Sequence, residues 1–158
     1  MKKLHITLIA FFALFIAQAQ TVTEKDLLGE WTPRKMTVQG TFIDFKTGDI
    51  TFSPETQEQV EASGQDIEEV KTMVKEGLAN GGMDKIKVIF KSGLAAEFHR
   101  PDSVKEVTYT LSVESGSTYM IRNDGKEMKV SIADGLLQLV PRGEEGADAP
   151  AIYFEKKK

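Results

Sequence analysis

The chain has 158 residues, with 20 basic and 24 acidic side chains, two histidines and no cysteine. Without cysteine it can use neither disulfides nor thiol chemistry, and a zinc site built from Cys and His ligands is excluded. A net charge of −4 with no basic cluster argues against nucleic acid and against anionic lipid surfaces, because both draw on grouped Lys and Arg.

Lys2 and Lys3 precede an apolar run from Leu4 to Ala17, and Ala17-Gln18-Ala19 supplies a small-x-small cleavage pattern. Residues 1–19 therefore read as a secretory signal peptide. The run falls short of the ~20 residues that a spanning helix needs, and no cysteine is present for lipid attachment. The expected product begins at Gln20 and is periplasmic or secreted, with no membrane anchor after cleavage. Its residues 20–158 make one domain of 139 residues, a size that buries roughly two thirds of the unfolded surface. Losing the two leader lysines leaves 18 basic against 24 acidic side chains, a net charge of −6. Lys156-Lys157-Lys158 is too short to reverse that balance.

Thr23 to Gly29 predicts one helical turn, capped by Thr23, with Asp26 three residues on and Gly29 ending it. Trp31 opens the first strand, and Thr41 to Phe52 predicts a hairpin turning at Thr47-Gly48-Asp49. Ser53-Pro54 then starts a helix, since a serine hydroxyl caps and proline lacks the amide that would go unpaired. Val60, Ile67, Val70, Val74 and Leu78 share one face over 54–80, with a break expected at Ser63-Gly64, a restart at Asp66 and an end at Asn80-Gly81-Gly82.

Beyond residue 85 the period changes to two. Ile86, Val88 and Phe90, Leu94, Ala96 and Phe98, Val107, Tyr109, Leu111 and Val113, and Met128, Val130 and Ile132 alternate with mainly polar residues. Ser92-Gly93, Ser115-Gly116, Asp124-Gly125 and Asp134-Gly135 separate these strands, which predicts an antiparallel meander. Gly143 to Pro150 reads as a mobile loop that lets a last strand, Ala151 to Lys156, return and close the sheet. The fold expected is mainly β: a small meander barrel of 8–10 strands with one helical insertion at 54–80.

Gly29-Glu30-Trp31 after a helical turn, "TYTL" at Thr108 to Leu111, an Asp-Gly hairpin and "GLLQLV" at Gly135 to Val140 together resemble the exported lipocalin-like domain proteins of Bacteroidetes. The resemblance spans about residues 27–156 and implies a calycin-like barrel in which Gly29 and Trp31 are structural, the tryptophan closing the narrow end beneath a basic side chain. Arg142 or Arg122 is the expected partner over its ring. The early helical segment departs from lipocalins proper and is closer in layout to fatty-acid-binding proteins, where a helical pair covers the barrel mouth. Here it is either a lid or a packing element.

No catalytic residue or cofactor site emerges. His5 leaves with the leader, so His99 is the sole imidazole and reads as an exposed polar residue at a strand end, while Glu68-Glu69 and Glu144-Glu145 read as solvated surface. A non-enzymatic binding protein is the reading for function. Phe90, Phe98, Tyr109, Tyr119, Met128 and Leu139 are the candidate lining of a cavity for a small apolar ligand. The alternative is an envelope or secreted protein-interaction domain whose barrel is filled, with the acidic helix or the 143–150 loop as its contact surface.

Overall fold

The computed structural model describes residues 21–144 and 149–158. The leader at 1–19, the mature start at Gln20 and positions 145–148 of the Gly143–Pro150 loop lie outside the described residues. A short helix α1 (Glu24–Leu27) leads into the long strand β1 (Gly29–Val38), followed by the hairpin β2 (Thr41–Asp44) and β3 (Asp49–Phe52). Helices α2 (Pro54–Ala62) and α3 (Ile67–Asn80) and a 3₁₀ turn (Met83–Lys85) come next. A meander completes the chain: β4 (Lys87–Lys91), β5 (Ala95–Arg100), β6 (Ser103–Glu114), β7 (Ser117–Arg122), β8 (Glu127–Ala133), β9 (Leu136–Pro141) and β10 (Ala151–Lys156).

All ten strands belong to one antiparallel sheet in the order β10-β9-β8-β7-β6-β5-β4-β1-β2-β3. An additional pairing of β10 with β1 closes β1 and β4 through β10 into an eight-stranded barrel. Trp31 stands opposite Lys156 and Thr37 opposite Ala151 across that seam. β1 serves two neighbours on its other side: Gly29 to Trp31 pair with β4, and Lys35 to Val38 pair with β2. Pro33, which has no N–H to donate, falls between those two stretches and beside a register shift against β10.

The turns follow their chemistry. Ser115 and Gly116, and likewise Asp134 and Gly135, both have positive φ, the geometry that lets a two-residue loop match the twist of its strands. Gln39-Gly40 makes the same turn between β1 and β2, a hairpin without a strong turn signal in the sequence. The expected helical break is present: α2 ends at Ala62, Gly64 sits at φ +75°, and α3 restarts at Asp66, whose carboxylate accepts from the amides of Glu68 and Glu69. Ser53 caps α2 by accepting from Thr56 N at 3.3 Å.

Inward-facing residues from every barrel strand form one core. Leu27, Met120 and Leu137 have no surface that water reaches, and Trp31, Val88, Phe90, Ala96 and Val130 keep 2%. The architecture is compatible with a calycin-like barrel.

Candidate functional site

One end of the barrel is built shut. Thr23 N donates to Asp26 Oδ2 at 2.9 Å and the Thr23 hydroxyl donates to the same oxygen at 2.6 Å, which fixes α1 and holds the Asp26 carboxyl below its ordinary value. Leu27 and Val22 then enter the core, with Val22 N donating to Thr118 Oγ1 at 3.0 Å. Glu24 reaches the β4–β5 turn and accepts from the amides of Gly93 and Leu94. Trp31 Nε1 donates to Leu27 O at 2.6 Å, so both the ring and its polar edge are satisfied under the helix.

The cation over Trp31 is Lys156, with Nζ 5.2 Å from the ring centre and 3.2 Å from Asp26 O, and this corrects the expectation of Arg122 or Arg142. The register explains it. Lys156 is the cross-seam partner of Trp31, whereas β7 and β9 carry both arginines to the opposite rim. There Arg122, 8% exposed, lies 4.5 Å over the Phe98 ring and donates to Asp124 Oδ2 at 2.7 Å. Lys105 donates to the same carboxylate, and that bond, aided by the Lys126 amide and Arg122, pulls Asp124 down to about 2. Arg142 instead lies on the outer face, 4.6 Å over Tyr119, with its two terminal nitrogens each 2.7 Å from Glu114 and Glu127.

The six residues expected to line a cavity divide three ways. Phe90, Tyr109 and Leu139 lie in the core, where Phe90 and Tyr109 meet edge to face with ring centres 5.7 Å apart. Phe98 and Met128 are half-buried and pack against that core. Tyr119 is a correction: it projects outward beside Arg142, because the inward set of β7 is Thr118, Met120 and Arg122. Phe90 and Tyr109 keep 2% and 3% of their surface and Leu139 keeps 7%, while Phe98 and Met128 keep more. Among the described residues two buried side-chain polar atoms have no partner, Tyr109 Oη and Arg122 Nε, and burial pushes the Tyr109 phenol up to about 12.

His99 sits near the end of β5, half-buried, with Nε2 2.9 Å from Glu97 Oε2. Glu97 also accepts from Lys91, whose hydrogen bond is the main cause of its lowered pKa. Among the described residues no group of three His, Cys, Asp or Glu side chains is placed to hold a metal, and no helix is long and apolar enough to cross a membrane.

The helical insertion is the other distinctive surface. Neither α2 nor α3 has a buried residue, although Val60, Ile67, Val70, Val74 and Leu78 form a half-buried stripe. The pair is tied to the body at its ends, where Thr56 Oγ1 donates to Gln39 O, Ser53 N donates to Gly40 O and the 3₁₀ turn follows α3. Comparison with protein-family models, with curated proteins and with solved structures finds no match for this chain.

Proposed function

We propose that this chain is a non-catalytic interaction module: a solid barrel that displays its helical insertion to another protein in the envelope or outside the cell. The carrying observation is a contrast between the barrel and the insertion. Among the described residues the barrel's core side chains are almost wholly buried, while neither helix of the insertion has a buried residue. The closed end supports placing the chain among lipocalin-like exported proteins, since α1, Gly29 and Trp31 form a plug under a basic side chain there. Export is the compartment that the Lys2-Lys3 leader pattern implies.

Tyr109 Oη and Arg122 Nε favour a second reading, a carrier of a small ligand with acceptor atoms, because buried polar groups ordinarily find partners. Native mass spectrometry of the protein purified from its own host, before and after organic extraction, separates the two. A bare polypeptide mass, with no thermal shift against fatty acids or retinoid-like compounds, is the expected result. A co-purifying lipid or pigment overturns the interaction reading in favour of the carrier.

A further inference from the structure

Resting on that reading, we infer the chemistry of the partner: the α2–α3 arm receives a basic amphipathic helix of another protein. Residues 54–80 carry seven carboxylates against two lysines, a net charge of −5. The rest of the mature chain carries 16 basic against 17 acidic side chains, so five of its six excess negative charges reside in this one arm. Among the described residues, only Glu68 of those seven carboxylates has an ion pair, with Lys71 at 2.6 Å.

The arm is more than an acidic surface. Met73 is 53% exposed, the one exposed large apolar side chain on α2 or α3 among the described residues, and lies at the edge of the Val70, Val74 and Leu78 stripe. Glu69 and Glu76, at i−4 and i+3, flank it on the same side of the helix. A depression of about 460 Å³ beside Met73 is bordered by Asp66, Glu68, Glu69 and Thr72. An apolar anchor point ringed by carboxylates matches a helix that presents Leu-type side chains in a stripe with Lys or Arg along its margins. The same charge repels a second copy of the arm and an anionic membrane.

Fluorescence anisotropy with a labelled Lys/Leu peptide whose leucines repeat every three to four residues tests the inference. A scrambled peptide of identical composition is the control. The intact protein is expected to bind the amphipathic peptide at least about tenfold more tightly than the scrambled one, and Met73→Ser to erase most of that preference. The double reversal Glu69→Lys/Glu76→Lys is expected to weaken binding by about tenfold or more at low salt, and Glu106→Lys/Glu155→Lys on barrel strands β6 and β10 to weaken it far less. Absence of binding, equal binding of the scrambled peptide, or equal loss from the barrel reversal overturns the inference. Such a failure with a bare native mass leaves the interaction reading standing, whereas a co-purified lipid removes the reading itself.

Discussion

Tyr109 places a hydroxyl in the barrel core with no group to receive its proton, so the phenol has lost its solvation without gaining a protein partner. Tyr109→Phe is therefore expected to leave the urea midpoint unchanged or raised; a loss above about 1 kcal/mol would contradict the geometry. Gly29 is the opposite case. Its φ of +118° is open to glycine and strained for other residues, and a Cβ there would stand 3.1 Å from Lys156 Cε. Gly29→Ala should cost about 1–3 kcal/mol in equilibrium unfolding, because strain at the plug adds to displacement of the lysine from Trp31. The sequence exposed Gly29 and Trp31 as a structural pair but not Lys156, since a cross-seam register between residues 125 apart leaves no local trace. Tyr119 and Ile121 are likewise more apolar in appearance than Thr118 and Arg122, yet the latter pair face inward, and parity judged by hydrophobicity alone selects the wrong face of β7.

At the level of elements, hairpins and helix boundaries were the most readable features because their signals are local. Asp134-Gly135 and Ser115-Gly116 supply the positive φ values that a two-residue turn demands, and Gly64 with Asp66 marks both a stop and a new cap. Gln39-Gly40 carries no comparable signal, because glutamine is a weak indicator of the left-handed region that it occupies here. The helices are locally encoded and weakly anchored, which separates their stability from that of the barrel. Asp66→Ala removes a cap worth about 1 kcal/mol to α3. Hydrogen exchange should accelerate over Ile67–Asn80 in that variant while β6 and β7 keep their protection. Uniform loss of protection across both regions would show that arm and barrel unfold as one unit.

The molecule as a whole owes part of its stability to carboxylates fixed by nearby donors. Asp26, held mainly by Thr23, and Asp124, held mainly by Lys105, have folded values below their ordinary 3.8, about 2 for Asp124. Their contribution is present above pH ~4 and disappears as pH falls through the folded values, because the unfolded chain then binds more protons. Denaturant midpoints should change little from these two groups between pH 7 and 5 and fall between about pH 4 and 2, with Asp124→Asn flattening the acid slope. An unaltered slope in that variant would remove Asp124 from the account. The division of β1 between two neighbours carries a further implication. Barrel closure uses no strand from residues 39–86, which depart from β1 and rejoin at β4, held to the scaffold by the β1–β2 pairing and by Ile86 against the core. Such an attachment lets the outer appendage be exchanged for another of different shape or charge while the scaffold keeps its own closure, so new binding habits can arise on an old foundation without refolding it.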